Sequence, residues 1–120
     1  MVENYITPGE ITDRCILIRI NRTFHFGMSN DEIYEATRKS WVLDPLRAKQ
    51  ADYVLSIFKG HCVAVYEVAE WKFSRIINGR DRYEFIGKLA QESIEDFYMS
   101  KNYDKFWNRG AANPITYANC

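Results

Sequence analysis

Residues Ala51–Gly87, ADYVLSIFKGHCVAVYEVAEWKFSRIINGRDRYEFIG, decide how this chain folds. Two β-patterned runs, Asp52–Phe58 and His61–Phe73, meet at Lys59-Gly60, and a third, Arg82–Gly87, follows Asn78-Gly79. Their connections are too short for crossovers, so the three runs read as antiparallel strands. Asn78-Gly79 suits a turn that needs positive φ, while the flanking Arg75–Asp81 suggests a longer, mobile hairpin end. Tyr53, Phe58, Tyr66, Trp71, Phe73, Tyr83 and Phe85 stud the three strands. A sheet so rich in rings can line a pocket for a flat ligand as well as fill a core.

Working outward, Cys15–Asn21 alternates, with Ile16, Ile18 and Ile20 on one face and Arg19 and Asn21 on the other, the pattern of a half-buried strand. Thr23–Met28 is a loop. Ser29 with Glu32 three residues later makes a capping box, which starts a helix running to about Ser40. Ile33, Ala36, Thr37 and Trp41 give that helix one packing stripe. Asp44-Pro45 is a second helix start, an N-cap followed by proline at the first helical position, for a short helix to about Ala51. Glu92–Met99 carries Ile94, Phe97 and Tyr98 at helical spacing, with Ser93 as a candidate cap. Ile115 and Tyr117 alternate in Pro114–Cys120, a closing strand. The order is β-α-α-β-β-β-α-β, which fits a small α+β barrel with helices packed over its ends.

At 120 residues the chain reads as one domain, 1–120, with 47% apolar and a high 15% aromatic content. Sixteen basic and sixteen acidic residues cancel, and each half of the chain balances by itself. Binding to duplex nucleic acid through phosphates draws on a basic excess, so any nucleic-acid contact here must be local, or the ligand small. Cys15, Cys62 and Cys120 form no C-x-x-C pair and no even framework, which points to a reducing interior. No apolar run reaches membrane-spanning length and Met1–Glu10 lacks a signal-type hydrophobic stretch. A soluble cytoplasmic protein, with no membrane partner, is expected.

Several segments together resemble a recurrent family of small bacterial and phage domains with the PUA-like fold, the group that includes the EVE, YTH and ASCH modules. The pieces are Ile18–Phe24 (IRINRTF), Gly27-Met28-Ser29, Tyr34–Arg38 (YEATR) with Trp41, Ala51-Asp52-Tyr53, Val65-Tyr66 with Trp71, Arg82–Gly87 (RYEFIG) and Asn113–Tyr117 (NPITY). The resemblance spans nearly the whole chain. It implies a compact, mostly antiparallel PUA-like β-barrel with short flanking helices, an α+β domain that reads a base or nucleotide and does not catalyse. A fold of this kind serves several purposes, so function must be argued from the site. The aromatic cage of YTH modules does not align residue by residue, and no cage is carried over.

Candidate ligand-binding residues are Asn21, Arg22, Trp41, Tyr66, Trp71, Arg82, Asn113 and Tyr117. Tryptophan stacks on bases, at about 1–3 kcal/mol per base, but Trp41 and Trp71 serve equally as core anchors. Arg82 leaves a strand beside rings and can grip a phosphate or stack on a base. With Lys72, Arg75, Arg80 and Lys88 it forms the one basic concentration in the sequence, which reads also as a solvated hairpin. Asn21, at the end of the first strand beside Arg22, can read a base edge or cap a loop. Pro114 holds Asn113 extended, able to aim its amide into a cleft, and Tyr117 follows. His25 and His61 lack partners at metal spacing, so no metal and no cofactor is expected. A Cys62–His25 pair stays open, although a thiol within a strand is an unusual nucleophile.

These residues point first to a non-catalytic module holding a nucleobase or nucleotide in an aromatic and arginine-lined pocket. In nucleic acid, single-stranded or carrying a modified base, that base must be unstacked to enter. One alternative is a freestanding phage-type protein that sequesters a soluble nucleotide immune signal, which zero net charge suits. Another is an enzyme acting on nucleic acid or nucleotides, although no acid and base pair can be chosen from spacing alone. A protein-interaction domain is the blandest option, as monomer or homodimer.

Overall fold

The computed structural model describes residues 4–108 and 110–120. Five strands form one mixed sheet: β1 (Cys15–Arg19), β2 (Tyr53–Phe58), β3 (His61–Ile77), β4 (Arg80–Leu89) and β5 (Ile115–Ala118), in the order β4-β3-β2-β1-β5. Helices α1 (Asn30–Arg38) and α2 (Pro45–Ala48) lie between β1 and β2 in sequence, and α3 (Glu92–Met99) lies between β4 and β5. The order expected from sequence, and the α+β class, are those of the structure. β1 and β2 run parallel, as a helical crossover between them allows, and the remaining pairs are antiparallel.

Local chemistry explains most element ends. The Ser29 hydroxyl accepts from the Glu32 amide while the Glu32 carboxylate accepts from the Ser29 amide, so the capping box closes both ways. Asp44 accepts from the Leu46 and Arg47 amides at the start of α2. Both hairpins close through two residues with positive φ, Lys59 (47°) with Gly60 (84°) and Asn78 (53°) with Gly79 (74°), the geometry that matches strand twist. The expected loose end around Arg75–Asp81 is therefore corrected: the ladder runs to Ile77 opposite Arg80. The expected Ser93 cap is corrected too, since Gln91 is the N-cap of α3 and makes no side-chain capping bond.

Alternation along the sheet splits the core in two. Cys15, Leu17, Leu55, Ile57 and Val65 join Tyr98 of α3 and Tyr103 in one cluster. Ile16, Ile18, Ile20, Val54, Ala64 and Phe85 join Ile33 of α1 and Ala48 of α2 in the other. β1 is thus buried on both faces, where the sequence pattern suggests one wet face; its polar Arg19 and Asn21 fall at the strand's end, past the packed layers. Across the α1 interface, Thr37 and Ser56 are fully buried and hydrogen-bonded to each other at 2.7 Å, which satisfies two hydroxyls in an apolar layer.

The expected closed barrel is corrected. The sheet is open, with β4 and β5 as its two edges and no pairing between them among the described residues. Exposed edges invite foreign strands, and here β4 is covered. Trp41 exchanges two backbone hydrogen bonds of 2.9 Å with Tyr83, and the Tyr34 hydroxyl accepts from the Gly87 amide at 3.0 Å. Arg38 of α1 also pairs with Glu84 of β4. Closure fails because these groups occupy the β4 edge that β5 would need.

Candidate functional site

The gap between the sheet edges is a cleft. On one side stand the start of β4 and the Ser40–Val42 segment that borders it. On the other stands the lead-in to β5, residues 111–114. Two depressions, of about 590 and 530 Å³, share Trp41, Ala112 and Pro114 as walls and so adjoin along this seam. Arg19–Thr23 line the larger, and Arg80, Arg82 and Asn113 line the other.

Each wall is held by its own bonds. The Trp41 indole N–H donates to the Thr37 carbonyl at 2.7 Å, capping a free carbonyl at the end of α1 and fixing the half-buried ring. Arg19 donates to the carbonyls of Ala111 and Asn113, both at 2.8 Å, and its guanidinium lies 4.5 Å from the Trp107 ring centroid. Trp107 donates to the Asn113 carbonyl at 2.9 Å, and the Asn113 side-chain oxygen accepts from Ile115. The 111–114 segment is therefore clamped from both ends. Partial burial pulls the Arg19 guanidinium below its ordinary value.

Charge in the cleft is one-sided. Arg19, Arg22, Arg80 and Arg82 line it, and no carboxylate does among the described residues. Among those residues Arg22, Arg80 and Arg82 have no acidic partner, whereas Arg14 and Arg38 do. Arg82 makes one long bond to the Ser40 carbonyl, 3.5 Å, and its Nε is buried with no partner. An arginine at a cleft wall with no carboxylate partner suits an anion.

Five of the eight residues selected from sequence meet here: Asn21, Arg22, Trp41, Arg82 and Asn113. Two of them keep their blander roles as well. Asn21 accepts from the Lys59 amide at 2.8 Å, bracing the β2–β3 turn, and Asn113 caps the entry to β5.

Three selected residues lie elsewhere. Trp71 is 5% exposed and Tyr66 2%, both packed on Phe85 in the core, so the expectation that they line the pocket is corrected. The cause is a bulge: Val68 pairs with Gly87 and Glu70 with Ile86, so Ala69 is the extra residue. That residue reverses the alternation and brings Tyr66 and Trp71 to one inward face. Tyr117 is also corrected. Its hydroxyl accepts from the Asp44 amide and its ring lies 3.9 Å under the Arg47 guanidinium, so it anchors α2.

Arg80, part of the basic concentration, was not among the selected residues although it lines the cleft; its two-residue spacing from Arg82 on one strand is the signal. The Cys62–His25 pair does not form a nucleophile: the Cys62 thiol is buried, donates to the Ala64 carbonyl at 3.3 Å, and is pushed up by desolvation. Among the described residues no three His, Cys, Asp or Glu side chains gather as a metal-binding group, and no helix is long and apolar enough to cross a membrane. No family model, curated protein or solved structure matches the chain.

Proposed function

We propose that this chain is a binding module for a nucleotide or an unstacked nucleobase, with the seam between β4 and β5 as its site. The observation that carries the reading is one cleft bordered by Trp41 and by Arg22, Arg80 and Arg82, with no described carboxylate among its walls. In this reading Trp41 supplies a ring for base stacking, Arg82 with Arg80 takes phosphate oxygens, and the Asn113 side-chain nitrogen donates to a base edge while its oxygen stays bonded to the Ile115 amide. Clefts of this volume suit a ligand of nucleotide size. The described lining holds no imidazole, thiol or carboxylate to move a proton, which favours capture over turnover.

The PUA-like kinship belongs to the same proposal. Its support is that Asn21 and Arg22 of IRINRTF, Trp41, Arg82 of RYEFIG and Asn113-Pro114 of NPITY come from four separate motifs and border one cleft. An open sheet departs from the barrel that the kinship implies.

Titration with nucleoside mono- and triphosphates, followed by tryptophan emission, tests the reading. Binding should quench emission, and Trp41→Phe should remove most of the change while Trp71 and Trp107 remain. Arg82→Ala should weaken binding by about tenfold or more, the worth of one charged hydrogen-bonding group. Unchanged emission and no heat of binding with any nucleotide would sink it.

A further inference from the structure

β3 outruns its inner neighbour. β2 pairs with it from His61 to Glu67, and Val68 still donates to the Asp52 carbonyl, but from Ala69 to Ile77 only β4 runs beside it. Among the described residues no hydrogen bond other than those to β4 reaches the backbone of that stretch. The sheet therefore has a third open edge, about 30 Å long at the usual rise per residue, along which alternate N–H and C=O groups point outward. The other edges are managed. Trp41 and Tyr34 bond to β4, and β5 is short, Ile115–Ala118. Nothing covers the β3 edge in the same way.

Pairing with β4 fixes which side chains share a face. Glu67, Glu70, Lys72 and Arg75 stand opposite Lys88, Ile86, Glu84 and Arg82, alternate positions along β4, so all four lie on one face. Two bulges bring them there: Ala69 is one extra residue, and Ser74, between the Phe73–Tyr83 and Arg75–Arg82 pairs, is the other. All four are exposed, and among the described residues none has an ion-pair partner. On the opposite face Phe73 and Ile76 remain 53% and 62% exposed, beyond the buried Trp71. Carboxylates thus precede cations along one exposed face. A strand of that pattern repels a parallel copy and suits an antiparallel one, which sets its acidic half against the basic half.

We propose that the Ala69–Ile77 edge pairs with the same edge of a second copy of this chain, antiparallel about a two-fold axis near Lys72, joining the two sheets into one. In that register Glu70 of each chain stands opposite Arg75 of the other, so the symmetry makes the charge pair twice. Lys72 at the axis keeps Glu84 beside it on β4. The outward N–H and C=O groups gain partners, and Phe73 and Ile76 lose water-exposed surface. An unrelated strand would satisfy the same backbone groups but would lack the matched charges, which is what selects a second copy. None of these residues lines the cleft, so the pairing is independent of nucleotide binding.

The test is the mass of the full chain in solution, by sedimentation velocity from low micromolar to submillimolar concentration. Twice the mass of one chain is expected at the upper end. Glu70→Lys and Arg75→Glu, both at exposed positions, should each weaken dimerisation at least about tenfold, because each sets like charges opposite one another twice per dimer. An equimolar mixture of the two variants should regain the dimer, since the swapped charges then meet opposite ones. Amide hydrogen exchange within Ala69–Ile77 should slow as the unaltered chain is concentrated. A chain that stays monomeric throughout, a dimer whose strength neither substitution changes, or a mixture that stays monomeric overturns the pairing.

Discussion

Arg82 and Tyr66 mark the two ends of what a single side chain decides here. Arg82 lines the cleft with no described carboxylate partner, although its Nε is enclosed, whereas the Tyr66 hydroxyl, also enclosed and without a described partner, lies in the core away from the cleft. The first is available to a ligand and the second is not. Tyr66→Phe should therefore leave nucleotide affinity unchanged and keep stability level or raise it by up to about 1 kcal/mol, because an unpaired hydroxyl is costly to bury. Thermal unfolding of the variant beside a binding isotherm checks both halves, and a lost isotherm would return Tyr66 to the site. Sequence reading expected Arg82 beside a pocket, and it lines the cleft near the start of β4. The same reading misplaced Tyr66 and Trp71 because the parity of a long strand depends on Ala69, an ordinary residue that becomes a bulge only through its pairing with β4.

Among the elements, the β3–β4 hairpin carries most. It supplies Arg80 and Arg82 to the cleft, and its outer edge is where α1 and Trp41 attach. Gly87 is needed there for space, since a Cβ would fall inside contact distance of the Glu67 carbonyl oxygen on the neighbouring strand. Gly87→Ala should cost about 1–3 kcal/mol, as overpacking does, and should also loosen the Tyr34 bond to the same amide. Gly9→Ala, with open space around its Cβ, is the control and should change little. Urea midpoints measure the difference, and equal midpoints would show that β4 yields without cost. The capping box, the Asp-Pro helix start and the Lys59-Gly60 turn were legible because each satisfies its own backbone groups within a few residues, whereas the tight Asn78-Gly79 turn replaced an expected longer hairpin end.

For the molecule as a whole, the two buried clusters set a direction for stability with pH. Burial pushes the Cys15 thiol up to about 12. Burial also raises Cys62 and the phenols of Tyr66, Tyr98 and Tyr103, with Tyr98 further held neutral by its bond to the Asp13 carboxylate. These groups stay protonated in the folded chain while the unfolded chain ionises. The unfolded state thus binds fewer protons at high pH, and stability must fall as pH rises. Their contribution is complete below about pH 8.5, where unfolded thiols begin to ionise, and is lost upward from there, more steeply past about pH 10 as tyrosines follow. Chemical unfolding at pH 7, 9 and 10.5 in reducing buffer reads this, and a flat profile would contradict the burial of these groups. Zero net charge acts at the same scale: it leaves the cleft arginines as a local field without a chain-wide basic excess.

Sequence alone determined the element order, the α+β class and the helix starts and turn positions, because periodicity, caps and turns are set by neighbours in the chain. Tertiary structure decided that the sheet stays open, that the opening is the cleft, and that Tyr66, Trp71 and Tyr117 serve packing. Those outcomes depend on pairings between residues such as Trp41 with Tyr83 and Arg19 with Asn113, 42 and 94 positions apart by their numbers. No local pattern encodes such meetings; they depend on contacts between residues far apart in the chain.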